Sequence, residues 1–163
     1  MKKTGITSLF IIGFIISLAS CALVEPIPNT YHIAINADAQ VNPDQEGRAS
    51  PVVLRIYQLS SDKKFATQDF FDLYDNDKDV LENSYINKKE IELNPSESRK
   101  IHFLLDNKTR YIGFLVAYQD IDSAKWRAMV NVQARQPSGI PVYAQQGLTV
   151  NLEKNKITIE SKD

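Results

Sequence analysis

The feature that most limits what this chain can fold into is an alternation with a period of two. Tyr31, Ile33, Ile35, Ala37, Ala39 and Val41 are apolar, and His32, Ala34, Asn36, Asp38 and Gln40 stand between them. Successive side chains of a strand point to opposite faces, so this pattern describes a half-buried β-strand; a helix face repeats every 3.6 residues. The pattern recurs along the chain. Residues 52–59 are rich in β-branched and aliphatic side chains and are bounded by Pro51 and by Ser60 and Ser61. Ile91 and Leu93 end a third candidate, closed by Asn94-Pro95. Ile101, Phe103 and Leu105 form a fourth, and Asp106-Asn107-Lys108-Thr109 reads as a turn into residues 111–118. That run is apolar on both faces, as a central strand is. Ala128, Val130 and Val132 give another strand, and Leu148, Val150 and Leu152 pair with Ile157 and Ile159 across the turn at 153–156.

One stretch departs from the period. Phe70, Phe71, Leu73 and Tyr74 fall at helical spacing, with Thr67 in the place of an N-cap and Asp69 in the first turn. About eight short strands and one helical insertion around 62–83 predict an all-β protein, a β-sandwich.

The N-terminal segment lies outside that pattern. Lys2 and Lys3 precede residues 6–19, which carry no charge. Fourteen residues fall short of the ~20 needed to span a bilayer and suit the h-region of a signal peptide. The segment ends in Leu18-Ala19-Ser20-Cys21, and Cys21 is the single cysteine of the chain. Small residues before a cysteine resemble the bacterial lipoprotein box, which implies cleavage between Ser20 and Cys21 and a covalent lipid (palmitate and diacylglycerol) on Cys21. An ordinary secretory peptide with an incidental cysteine and a retained anchor helix are the alternatives. Two or three acyl chains hold a protein stably to a bilayer where one does so only marginally. Ala22, rather than Asp, follows the cysteine; by the sorting pattern of enterobacterial lipoproteins this implies the outer membrane. Residues 1–20 are then the signal peptide and 21–30, with Pro26 and Pro28, a lipidated tether. Residues 31–163 make up the sandwich, facing the periplasm. A lone cysteine excludes an internal disulfide framework, and a formal charge of −1 excludes a nucleic-acid binder acting through bulk positive charge.

Sequence motifs for chemistry are lacking. No G-x-S-x-G, G-x-G-x-x-G, P-loop or H-E-x-x-H occurs. His32 and His102 each occupy the polar position of an alternating strand, which reads as two separate surface histidines. Asp75-Asn76-Asp77-Lys78-Asp79 opens like a calcium loop, but Val80 replaces the required glycine and Ile86 the bidentate glutamate. Asp120 and Asp122 read as a turn. The expectation is no enzyme, no metal, no cofactor beyond the lipid and no small-molecule substrate.

One segment is unexplained by folding alone. Asn42-Pro43-Asp44-Gln45-Glu46-Gly47-Arg48-Ala49-Ser50 separates two strands without a large apolar residue. Nine residues exceed the two to five common in hairpins, and a long polar loop on a rigid scaffold is a usual place for recognition. Arg48 suits a carboxylate on a partner. The alternative is a passive loop.

These residues also carry a family resemblance. Asn42-Pro43-Asp44, then residues 47–59 (Gly-Arg-Ala-Ser-Pro-Val-Val-Leu-Arg-Ile-Tyr-Gln-Leu), then Phe65 with Asp69-Phe70-Phe71-Asp72-Leu73-Tyr74, Tyr111-Ile112-Gly113 and Ala124-Lys125-Trp126-Arg127 follow one another behind a lipoprotein box. In that order they resemble the TssJ family, outer-membrane lipoproteins of the bacterial type VI secretion system. Ser96 stands where a glycine is common in the family, and Gln119 where a basic residue is often found. The resemblance implies a transthyretin-like sandwich that anchors the secretion membrane complex. It also implies binding to the periplasmic C-terminal region of TssM, within a complex with TssL, through the loop Asn42 to Ser50. Trp126 is either an interface residue or a core one, and Phe70, Phe71 and Tyr74 either form a binding face or dock on the sandwich. Two other functions remain as alternatives. A small-ligand-binding lipoprotein needs convergent aromatic and polar groups in a deep pocket. A transthyretin-like hydrolase needs clustered basic and histidine residues.

Overall fold

A computed structural model describes residues 30–132 and 146–162. Cys21, Ser20 and the rest of the N-terminal segment lie outside the described residues. Eight strands form two four-stranded sheets. The first has the order β4-β1-β7-β8, with β1 at Thr30–Ala37, β4 at Ser98–Leu104, β7 at Gln146–Leu152 and β8 at Ile157–Lys162. The second has the order β3-β2-β5-β6, with β2 at Val52–Leu59, β3 at Tyr85–Leu93, β5 at Tyr111–Ala117 and β6 at Arg127–Asn131. All neighbours are antiparallel except β1 and β7, which run parallel. The all-β sandwich expected from the alternation is the observed fold.

Burial follows the sequence period. Tyr31, Ile33 and Ile35 of β1 face inward, as do Val52, Leu54 and Ile56 of β2 and Ile112, Phe114 and Val116 of β5. Tyr57 and Leu59 of β2 and Gly113 and Leu115 of β5, at the alternate positions, are buried as well, because part of the opposite face of the second sheet is covered. Tyr57, Leu59 and Leu115 pack there against Phe65, Leu73 and Leu81 of the helical insertion. This second core is the reason residues 111–118 read as apolar on both faces.

The insertion holds three short helices rather than one. They are α1 at Lys63–Thr67, α2 at Phe70–Asp75 and α3 at Asp77–Leu81, followed by a 3-10 turn at Glu82–Ser84. Thr67 is not an N-cap. It ends α1, its hydroxyl donating back to the Lys63 carbonyl at 3.0 Å. Asp69 is the cap of α2, its carboxylate accepting the Asp72 N–H at 2.9 Å, which satisfies one of the donors a helix start leaves unpaired. Two arginines of the second sheet hold the helices from below. Arg127 donates to the Phe65 and Gln68 carbonyls at 2.8 Å each, and Arg55 donates to the Tyr74 carbonyl while its guanidinium lies 3.8 Å from the Tyr74 ring centroid. The calcium-like acidic run is part of the same fastening: Asp77 is buried and accepts from the Tyr57 hydroxyl at 3.1 Å and from the Lys88 ammonium.

Strand β1 ends earlier than its apolar period. Asp38 closes a turn, its carbonyl accepting Val41 N–H at 3.2 Å and its carboxylate Gln40 N–H at 2.7 Å. Ala39 is therefore exposed while Val41 is fully buried. Between β3 and β4, Ser96 takes a φ of +64°. This is the left-handed region where glycine is at ease and other residues are strained.

Candidate partner-binding surface

β1 and β2 belong to different sheets, so residues 42–50 are not the tip of a hairpin. They lie in a connection that crosses one end of the sandwich, and their length follows from that crossing as much as from any partner.

The outer half of the connection is tied to itself. Asp44 accepts from Glu46 N–H at 3.0 Å and Arg48 N–H at 2.8 Å, and its other carboxylate oxygen accepts from Arg48 Nε at 2.8 Å. The Asp44 carbonyl accepts Gly47 N–H, and Asp44 N–H donates to the Arg48 carbonyl, both at 2.9 Å. Gly47 has a φ of +79°, which its missing Cβ permits. These donors, the Arg48 N–H foremost, hold the Asp44 carboxyl below the usual aspartate range. Arg48 also reaches Glu46 at 3.1 Å. The guanidinium expected to meet a partner's carboxylate is therefore engaged within its own loop. Gln45, Glu46, Gly47, Arg48 and Ala49 are exposed, and Pro43 and Ser50 half-buried.

Asn42 departs from the rest. At 4% exposure it is buried, unlike the exposed residues 45–49 of the same connection. Its φ is +50°, which asparagine tolerates better than most residues. Its side-chain amide donates to the Pro51 carbonyl at 2.6 Å, its side-chain oxygen accepts Gln119 N–H at 2.7 Å, and its own N–H donates to the Lys154 carbonyl at 2.9 Å. One residue thus joins the connection to two other loops.

Where those loops meet there is a groove of about 530 Å³. Its walls are residues 42–45 of the connection, Tyr118, Gln119 and Asp120 after β5, and Lys154 and Asn155 in the β7–β8 turn. The last two segments are stitched together, since Lys125 N–H donates to the Asn155 carbonyl at 2.9 Å and Ile157 N–H to the Lys125 carbonyl at 3.0 Å. Asp120 is held in the expected turn by Ser123. Sequence reasoning found the connection but missed Tyr118, Lys154 and Asn155; it noted Gln119 only as a departure from the family. The signal was the run of polar residues in three loops, and nothing local says that they converge. The groove brings polar side chains of three loops together with one aromatic residue, Tyr118.

Other candidates fall elsewhere. His32 and His102 are not separate: they are directly opposed on β1 and β4, their ring centroids 4.6 Å apart and nearly perpendicular. Among the described residues no group of three or more His, Cys, Asp or Glu is placed to hold a metal ion, and no helix is long and apolar enough to cross a membrane. Trp126 is half-buried, packs against both cores and meets Phe70 edge-on at 5.4 Å. Phe70 and Tyr74 pack partly on the second core, whereas Phe71 is 63% exposed.

This is the architecture of known type VI secretion lipoproteins. The crystal structure of TssJ1 from Pseudomonas aeruginosa superposes with a TM-score of 0.74 at 32% identity, covering 84% of this chain and 98% of that one. Serratia marcescens Lip, a membrane-bound component of the type VI secretion system, superposes at 0.73 with 25% identity, covering 84% and 99%. A chain of a type VI membrane complex shares the fold at 0.69 and 24% identity, covering 82% and 99%. Comparison with curated proteins gives no match. Residues 29–155 match the T6SS-SciN family model, described as type VI secretion lipoprotein, VasD, EvfM, TssJ. The chain belongs to this TssJ family of type VI secretion lipoproteins.

Proposed function

We propose that this chain is a non-catalytic adaptor that ties the type VI secretion membrane complex to the outer membrane. A lipid on Cys21 holds one end at the bilayer, residues 21–30 serve as the tether, and the sandwich hangs in the periplasm. The loop Asn42 to Ser50 binds the periplasmic C-terminal region of TssM, which acts together with TssL. The observation that carries this reading is the closed ring of hydrogen bonds around Asp44. It presents five consecutive exposed residues in one fixed shape. A loop ordered before binding loses little conformational entropy on binding, and that cost is a large part of what limits affinity.

The test is a binding measurement between the mature lipoprotein in detergent and the purified periplasmic region of its cognate TssM. Replacing residues 44–48 by a short glycine-serine link is expected to abolish binding while circular dichroism stays that of a β-protein. Undiminished affinity removes the loop from the mechanism. Separately, Cys21→Ser is expected to leave the outer-membrane fraction and abolish secretion; normal fractionation of that variant removes the anchor.

A further inference from the structure

The strand registers give the sandwich two distinct ends. Thr30, the first residue of β1, pairs with Leu104 at the end of β4, and Tyr31 pairs with Gln146 at the start of β7. Gln58, near the end of β2, donates to the Leu104 carbonyl at 2.9 Å and accepts Asp106 N–H at 2.8 Å, so the second sheet ends here too, beside the β4–β5 turn. The connection 42–50 and the β7–β8 turn lie at the other end, beyond the paired residues Ala37 and Leu152. The eight residues of β1 set the two ends about 25 Å apart. The N-terminal tether therefore joins the sandwich at the end opposite the loop.

The tether end carries an apolar tip. Leu104 is 61% exposed, and it and Phe71 are the large hydrophobic side chains left exposed among the described residues. On the outward face of β4, Leu104 follows His102 and Lys100, both exposed, and His32 of β1 stands beside His102. Lys108 is exposed in the turn just beyond, its N–H donating to the Asp106 carboxylate at 2.8 Å. The β4–β5 connection, residues 105–110, holds two basic side chains and one acidic. The connections of the other end, residues 38–51, 94–97, 118–126 and 153–156, hold seven acidic and four basic ones. An anionic surface is thus repelled by the loop end and attracted by the tether end. The nine residues from Ala22 to Thr30 reach at most about 32 Å. A flexible link this short sets an effective concentration in the millimolar range, so a contact too weak to hold free protein is occupied once the anchor is in place.

We infer that the outward face of β4 at the tether end is a lipid-contact surface, with Leu104 entering the headgroup region of the bilayer and Lys100 and Lys108 meeting anionic phospholipid headgroups. This rests on the proposed lipid on Cys21 and adds which face of the sandwich lies on the membrane. The contact turns a loose tether into a fixed orientation. It points the loop 42–50 away from the bilayer, toward a partner that approaches from the periplasm.

The test uses the mature lipoprotein reconstituted on vesicles of phosphatidylethanolamine and phosphatidylglycerol that contain a nitroxide-labelled lipid as quencher. A bimane fluorophore is attached in turn to Asn107→Cys, in the β4–β5 turn, and to Asp122→Cys, at the other end; both positions are exposed. The thioether on Cys21 leaves no second thiol to react. The Asn107 probe is expected to be quenched several-fold more than the Asp122 probe. Adding Leu104→Ser, or Lys100→Glu combined with Lys108→Glu, is expected to bring the Asn107 signal down toward that of Asp122 while the protein stays on the vesicles and its circular dichroism stays that of a β-protein. Each lysine close to an anionic surface strengthens such a contact about fivefold, so the double reversal weakens it by roughly twentyfold or more. If the two probes are quenched equally, or the Asp122 probe more, the inference is overturned and the anchor reading stands. If the Asn107 probe is the one quenched but neither variant changes its signal, nearness to the tether explains the quenching and the inference is overturned. If the protein is not retained on the vesicles, the Cys21 anchor falls and the inference falls with it.

Discussion

Replacing Asn42 by alanine tests whether one buried side chain holds three loops at one end of the sandwich together. The substitution removes the bonds to the Pro51 carbonyl and the Gln119 N–H. Both partners belong to exposed residues, so water can replace part of what is lost; each bond is then worth about 1 kcal/mol, the central net value. Alanine must also adopt the φ of +50° that asparagine holds, at a cost of roughly 1–2 kcal/mol. Together the loss is about 3 kcal/mol. A domain of this size shifts its Tm by roughly 3–5 °C per kcal/mol, so the midpoint falls by about 10 °C. Thermal and urea denaturation followed by the fluorescence of Trp126, the one tryptophan in the chain, measure the midpoint and the free-energy loss, since that residue packs against both cores. Asn42→Asp is the companion variant. It keeps an acceptor for Gln119 N–H but sets a carboxylate against the Pro51 carbonyl. The site then favours the neutral acid, so the carboxyl pKa is raised, and the deficit relative to wild type shrinks as pH falls through it. An alanine variant within about 0.5 kcal/mol of wild type refutes the reasoning, for it means that the three loops are fixed without Asn42.

Three further outcomes follow from particular contacts. A Cβ at Gly113 comes within 2.8 Å of Phe65 Cε1 and 3.1 Å of Leu59 Cδ1; Gly113→Ala is expected to cost ~1–3 kcal/mol in chemical denaturation by overpacking the second core, and a neutral result shows that the insertion can shift freely. Phe65→Ala is expected to cost ~3–5 kcal/mol and Phe71→Ala less than ~0.5 kcal/mol, since the first is fully buried and the second 63% exposed; equal effects contradict this docking of the helices. The Asp44 carboxyl has its folded pKa depressed by the Arg48 N–H before all else, so loop closure through it is complete above the ordinary aspartate value and is lost as pH falls through the lower, folded one. The Arg48 and Glu46 amide resonances are expected to move only below the ordinary aspartate range and to stop titrating in Asp44→Asn; a midpoint at the ordinary value rejects the closed ring.

Period-two alternation specified the strands, because the side-chain geometry of a strand is local and a one-residue slip turns its whole apolar set outward. The polar run 42–50 and the family's motif blocks were legible for the same reason: each is contiguous. The splitting of the helical insertion was less so. A side-chain oxygen at Thr67 and one at Asp69 carry the same capping signal in sequence, and only their hydrogen bonds show that one ends a helix and the other begins the next. Likewise, alternation continues through Val41 although Asp38 has already turned the chain.

By itself the sequence determined the fold class, the family and the place of the long polar connection, all of which depend on residues near one another along the chain. Tertiary structure alone decided that β1 and β2 lie in opposite sheets, that the two histidines face each other, and that Asn42 is buried. It also brought Tyr118 to Asp120 and the β7–β8 turn beside the loop. Those relations depend on how strands distant in sequence pair and stack. That is set by the burial of all eight strands at once, a property of the whole chain.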